Sequence, residues 1–415
     1  MEKRISGRVF GIAWLCTLVY FASYLMRNNF AVMLVKVCAE MGVAKSALAV
    51  VITGMTIFYG TGQIVNGIVG DRISPRLMLS GGLLLAAACN VVMFFATSIP
   101  LMTVVWCING FAHAMLWPPI VRILSTNLND EEYNYAAVRV SWGSSFATIA
   151  MYLLCPLLLK VMTWRWIIFS FAMVGIGIAA VWIILSPRFL SEERVTELAP
   201  AVKAESTVVH RPLPKFVFLP LVLIMFGIVF QGMLRDGVTN WMPSFLTESF
   251  GLSEENSILV TVVQAVFSLF AYSLASVLHQ KFFKNEVTCA GALFALSVLC
   301  GVALYVCSLF GANVIVSTLL MALIIAGMHS VNLMLITIVP KRFAKSGKVS
   351  TFSGILNACT YIGAAISTYG FAALAESYGW NFTILSWAVI AAAGAVVCML
   401  AMPIWRRFRR EYVDQ

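Results

Sequence analysis

Hydrophobic positions in this chain come in long unbroken runs, not in the alternation of a half-buried strand or the one-sided stripe of a surface helix. A helix needs about 20 apolar residues to cross a bilayer. Twelve runs of that kind can be read: 9–37, 46–69, 77–96, 101–124, 133–161, 166–185, 217–248, 257–278, 287–309, 314–339, 351–375 and 382–404. A backbone in lipid must satisfy its own hydrogen bonds, so each run predicts an α-helix. The polar breaks are short except at 187–216, which carries Arg188, Glu192, Glu193, Arg194, Glu197, Lys203, Glu205, Arg211 and Lys215. That break divides the chain into a six-helix bundle at 1–186, a linker at 187–216 and a second six-helix bundle at 217–415. The expected fold is an all-α membrane protein with 12 transmembrane helices in two six-helix bundles.

Composition agrees. The 415 residues are 61% hydrophobic and 11% charged, where soluble chains hold about 45–50% and about 25%. Disorder, collagen, coiled coil and a disulfide-stapled secreted domain are excluded. A net charge of +10 would point to nucleic acid in a soluble protein. Here the basic residues fall in alternate loops, 22 on one side against 4 on the other, with two in mid-membrane. The bias places both termini and the linker in the cytoplasm and gives no reason for a nucleic-acid partner. The ten cysteines show neither CxxC nor metal-ligand spacing and read as small buried hydrophobes. No Walker loop, metal cluster or nucleophile–base set is present in the sequence, so no catalytic residue, metal, cofactor or enzyme activity is expected.

Arg27 lies in the first run and Arg235 in the seventh, 208 positions apart. Such an echo between halves is how two-lobed transporters are built. An arginine at mid-depth costs about 2.5–3.5 kcal/mol or more. Two at matching positions predict one anion site, since a planar guanidinium grips oxyanions bidentately and two balance a dianion. Asp236 adjoins Arg235, but neighbouring helical positions point about 100° apart, so no close ion pair is expected there. Tyr20, Tyr24, Gln63, Gln231, Trp142, His329, Asn357 and Tyr361 are polar or aromatic groups inside helices and would orient the rest of a substrate. Each can instead be an interhelical hydrogen bond, worth about 0.6 kcal/mol. His113 and His329, the mid-membrane histidines, read as proton sensors or as packed neutral rings. Trp164, Trp166 and Trp405 read as interface anchors. Arg406, Arg407, Arg409 and Arg410 face anionic lipid.

Gly67-Ile68-Val69-Gly70-Asp71-Arg72-Ile73-Ser74-Pro75-Arg76 resembles the cytoplasmic loop signature G-x-x-x-D-R-x-x-x-R of the major facilitator superfamily. The resemblance implies a gating role for Asp71, Arg72 and Arg76, with Asp71 pairing basic groups; Asp236 is the further gating candidate. Other segments narrow the family. Tyr24-Leu25-Met26-Arg27-Asn28-Asn29-Phe30, Leu234-Arg235-Asp236-Gly237-Val238-Thr239-Asn240-Trp241-Met242-Pro243, Trp117-Pro118-Pro119, Pro340-Lys341-Arg342 and Tyr378-Gly379-Trp380 together resemble the organophosphate:phosphate antiporter family of that superfamily. That family includes bacterial glycerol-3-phosphate and hexose-6-phosphate transporters. The resemblance implies the major facilitator superfamily fold, a bacterial inner membrane and phosphate held by Arg27 and Arg235. Four positions depart from the family: Asn28, Gln63 and Phe146 stand where basic residues or histidine are common, and Asn240 where an acid is. The expected cavity is therefore less positive.

The implied function is transport of a small phosphorylated anion by a monomer through alternating access, in exchange for inorganic phosphate. Its other partners are membrane lipids. Two uncompensated cations would keep an empty site from reorienting, which predicts obligatory exchange. Two alternatives stay open: a proton-coupled symporter of hexuronates or aldonates, and a transporter-like sugar phosphate sensor.

Overall fold

The structure, a computed structural model, describes residues 6–43, 45–190, 211–311 and 313–414. Most of the expected linker lies outside the described residues. The chain forms two compact units, Met1–Arg211 with Phe343–Ile355, and Pro212–Arg342 with Leu356–Gln415.

The first unit holds α1 (Gly7–Val32), α2 (Leu34–Met41), α3 (Lys45–Gly70), α4 (Pro75–Phe95), α5 (Ile99–Ala114), α6 (Trp117–Asn127), α7 (Asp130–Leu158) and α8 (Trp164–Phe189). The second holds α9 (Phe218–Phe250), α10 (Glu254–Leu278), α11 (Glu286–Leu309), α12 (Val314–Asn332) and most of α13 (Val349–Phe408). Eleven helices among the described residues are long and apolar enough to span a membrane. The last of them is two spans in one, because α13 runs through Gly379 (φ 78, ψ 174) without a loop.

Local chemistry explains the starts. Asn129 and Glu132 form a reciprocal capping box on α7, each contact 3.0 Å, and Asn285 caps α11 by accepting from the Thr288 amide at 3.0 Å. These side chains occupy backbone groups the first turn leaves unpaired.

Two expected runs are broken. The first ends at Met33 (φ −99, ψ 6) and resumes as α2. The fourth breaks at Met115–Leu116, and α6 restarts on Trp117-Pro118-Pro119. Proline has no N–H to donate but is tolerated in a first helical turn, so the pair of prolines starts a helix where it could not continue one.

In the first unit, arginines cap carbonyls. Arg165 donates to the carbonyls of Phe94 at 2.9 Å and Ala96 at 2.6 Å, closing the end of α4. Arg122 donates to the carbonyls of Gly70 and of Ile73, and Trp182 Nε1 to that of Arg76 at 3.3 Å. In the second unit a carboxylate takes this place. Glu286, fully buried, accepts from Arg342 at 3.2 Å, Trp405 at 3.0 Å and Arg409 at 3.3 Å. The expectation of membrane-interface anchors fails for Trp164 and Trp405, which are wholly buried inside the protein. Helix-end position says nothing of what the neighbouring helices cover.

Candidate functional site

Arg27 is on α1, and only 6% exposed. Its guanidinium carbon lies 4.4 Å from the centre of the Tyr24 ring and 4.5 Å from that of Tyr59. Ring faces carry negative charge density and attract a cation by about 0.5–2 kcal/mol each. Tyr20 continues the aromatic wall: its hydroxyl is 3.5 Å from that of Tyr24, and its ring is 4.9 Å from Trp117. Tyr24 and Tyr20 stand one and two turns before Arg27, as the helical spacing expected.

The sequence reading missed two supports. Tyr59 on α3 is one; it shares a helical face with Gln63 and Asn66 at i+4 and i+7, a spacing visible in the sequence. The other is a buried amide cluster around the Met26 carbonyl, which accepts from Asn90 at 3.0 Å and Asn109 at 3.2 Å. Asn29 donates to Asn90 Oδ1 at 2.8 Å. The backbone beside Arg27 is thereby held from two other helices, α4 and α5. Gln63 is fully buried, and its amide oxygen and nitrogen have no hydrogen-bond partner among the described residues. Trp142 lies farther along α7, with the Arg139 guanidinium 5.1 Å from its ring. His113 Nδ1 is 3.1 Å from the Ser23 hydroxyl.

Arg235 lies near the middle of α9. There the expectation of no close ion pair is overturned. Arg235 Nε donates to Asp236 Oδ1 at 2.7 Å and its NH2 group to Oδ2 at 2.8 Å, a two-pronged pair with the side chains 11% and 26% exposed. The rule for adjacent positions describes where Cβ atoms point. An arginine has enough rotatable bonds to fold its head back across the intervening 100°, and a low-polarity setting rewards it for doing so.

Around that pair, the Thr239 hydroxyl lies 2.5 Å from the Arg235 carbonyl and 3.1 Å from Gln264 Oε1. Gln231 is buried as a bridge, donating to the Met328 carbonyl at 3.2 Å and accepting from Thr360 at 3.4 Å. His329 Nδ1 is 2.8 Å from the Tyr272 hydroxyl. Asn357 is buried and Tyr361 half-buried, one turn apart on α13. α9 and α13 touch closely here: a Cβ at Gly232 would land on the Thr360 carbonyl, and one at Gly363 on that of Val229.

Residues 16–368 match the Major Facilitator Superfamily. The chain belongs to that superfamily. It is 26% identical over 403 residues to the glycerol-3-phosphate transporter of Bacillus subtilis (strain 168), covering 87% of this chain and 85% of that protein. To the membrane sensor protein UhpC of Salmonella typhimurium it is 24% identical, covering 92% and 88%. Among solved structures, the proton:xylose symporter XylE matches with a TM-score of 0.74 at 14% identity, covering 98% of this chain and 96% of that one. This last likeness shows the fold alone. The relatives agree with the resemblance to the organophosphate:phosphate antiporter family, and the protein is an integral, multi-pass membrane protein and not an enzyme.

The superfamily's loop signature has a definite structural part. Asp71, between α3 and α4, accepts from the Ser350 amide at 2.8 Å, the Thr351 amide at 2.9 Å and the Thr351 hydroxyl at 2.5 Å. It caps the start of α13, where unpaired N–H groups and the helix dipole favour a negative charge. Burial raises the Asp71 carboxyl above its ordinary range, while those donors and the Arg122 charge oppose the rise. The direct partners seen at Asp71 are backbone and hydroxyl donors at the start of α13. Arg72 is exposed and Arg76 half-buried.

Proposed function

We propose that this superfamily member moves a small phosphorylated anion, of the glycerol phosphate or sugar phosphate type, across a bacterial inner membrane in exchange for inorganic phosphate. The observation that carries the reading is the placement of a mid-helix arginine in each unit, Arg27 buried and Arg235 half-buried, in sequence contexts matching the family's phosphate-binding segments. Arg27 is flanked by the rings of Tyr24 and Tyr59, which attract its guanidinium without cancelling its charge. The glycerol-3-phosphate transporter among the relatives supports the substrate class. In this reading Tyr20, Tyr24, Gln63, Gln231, Trp142, His329, Asn357 and Tyr361 shape the remainder of the site, and Asp71, Arg72, Arg76 and Asp236 serve gating. The carrier works as a monomer by alternating access, with 1–186 and 217–415 as its two bundles and both termini cytoplasmic.

Asp236 offsets the Arg235 charge, so the bare-cation argument for exchange no longer applies to that arginine. The test is counterflow in proteoliposomes. Uptake of labelled glycerol 3-phosphate should be driven by internal phosphate and should ignore an imposed pH gradient. Proton-driven accumulation without internal phosphate would replace exchange by symport. The similarity to a membrane sensor favours one second reading, a receptor that binds the same anion. Saturable binding with no counterflow is its signature.

A further inference from the structure

The pair at the middle of α9 occupies Arg235 in the geometry an oxyanion would use. Two carboxylate oxygens sit on Nε and NH2 at 2.7 and 2.8 Å, the same side-on grip that a phosphate or sulfonate takes on a guanidinium. An anion seeking those two N–H groups meets a competitor already attached to the next residue. We infer that Asp236 is a resident counter-ion of Arg235, that anions reach the Nε edge of the guanidinium by displacing it, and that it thereby sets the charge class and affinity of the substrate. This rests on the proposed anion-transport reading and deepens it.

The geometry gives the displaced carboxylate somewhere to go. At 26% exposure Asp236 is the more accessible member of the pair, against 11% for Arg235. Thr239 and Asn240 follow it at i+3 and i+4, on the same face of α9. Asn240 is exposed and carries amide hydrogens that a released carboxylate can accept. Thr239 engages the Arg235 carbonyl and α9 is pressed against α13 at Gly232, which fixes the backbone that carries both side chains. The exchange of partners is therefore a swing of the aspartate away from the guanidinium on a fixed stretch of helix.

The consequence separates anions by charge. With the carboxylate in place, the α9 contribution to the site is neutral; once Asp236 is made uncharged it is a full cation. The gain from that change scales with the ligand's charge, so a dianion gains twice what a monoanion gains in logarithmic affinity. A carboxylate lost from the same two donors corresponds to about tenfold or more in affinity for a charged hydrogen-bonded ligand.

The experiment measures binding of inorganic phosphate at pH 8 and of methanesulfonate to purified full-length protein by isothermal titration. Asp236→Asn, which keeps the shape, should bind phosphate about tenfold tighter than the parent, and methanesulfonate by a smaller factor. Asp236→Glu, which keeps the charge, should show less than a third of the phosphate gain. In proteoliposomes, Asp236→Asn should also lower net phosphate efflux relative to phosphate–phosphate exchange, because the empty carrier now returns with an uncompensated cation. Parent binding with Asp236→Asn equal or weaker overturns the counter-ion assignment and leaves the transport reading standing, and equal gains for both ligands overturn the charge-class part. If Asp236→Asn fails to give monodisperse protein, the comparison of Asp236→Glu with the parent decides: a gain as large as tenfold overturns the assignment, and a small one supports it. A parent that binds neither phosphate nor any phosphate ester overturns the transport reading itself, and this inference with it.

Discussion

The two halves carry arginines in corresponding places and compensate them in different ways. In the first unit the partners are ring faces and carbonyls: Tyr24 and Tyr59 for Arg27, Tyr135 and Trp142 for Arg139, and the ends of helices for Arg122 and Arg165. In the second unit they are carboxylates: Asp236 for Arg235, and Glu286 for Arg342 and Arg409. Quadrupoles and backbone dipoles stabilise a cation without cancelling its charge, whereas a carboxylate cancels it. The rings on Arg27 thus leave its charge in place, whereas Asp236 holds Arg235 in reserve.

The largest way to break that contrast is at the buried carboxylate. Glu286→Gln removes the fully buried carboxylate that Arg342 and Arg409 share and should destabilise by about 3–5 kcal/mol. Arg122→Gln gives up carbonyl contacts and a longer-range attraction to Asp71 and should cost about 1–3 kcal/mol. Thermal unfolding in detergent reads both. Equal losses would mean that the two modes of compensation are energetically alike.

At the arginines themselves the contrast becomes one of affinity. Arg27→Lys should weaken phosphate binding about 100-fold, because lysine loses the planar fork and its stacking on two rings. Arg235→Lys should cost about tenfold, since the fork it gives up is already shared with Asp236. Titration against phosphate measures both, with expression of each variant near that of the parent. A larger loss at Arg235 would reverse the assignment of the available and the reserved cation.

A smaller effect sharpens the aromatic side. Tyr59→Leu removes one ring from Arg27 and should cost about 0.5–2 kcal/mol, while Tyr59→Phe keeps the ring and should cost less than half of that. Thermal stability of the two variants, each compared with the parent, separates the ring from its hydroxyl. Equal losses would point to a hydroxyl contact as what matters at Tyr59.

Hydrophobic run length was enough to place the spanning helices, since lipid forces the backbone of each run to close on itself. It could not show that Trp117-Pro118-Pro119 restarts a helix, because the prolines read equally well as a family motif. Nor could it show that the last two spans meet at a single non-helical residue, Gly379. At the site, Arg27, Tyr24 and Tyr20 were legible because they share one helix, where spacing fixes direction. Tyr59 and the Asn29–Asn90–Asn109 cluster were not, because they come from other helices and depend on packing. Asp236 was misjudged for a third reason. Its position was plain, but the reach of a flexible arginine head is not a property of helical spacing.

Gly379 has a bearing on how this chain can vary. Its backbone, at φ 78 and ψ 174, lies in a region essentially closed to every residue with a side chain, although nothing lies within 4 Å of where a Cβ would project. The constraint is thus conformational and not one of room. In a saturation library, position 379 should tolerate no single replacement, even alanine, at full expression. Inserting two or three flexible residues beside it should restore tolerance at once, because a longer hairpin no longer needs the glycine. A relative without glycine there would be expected to carry such an insertion.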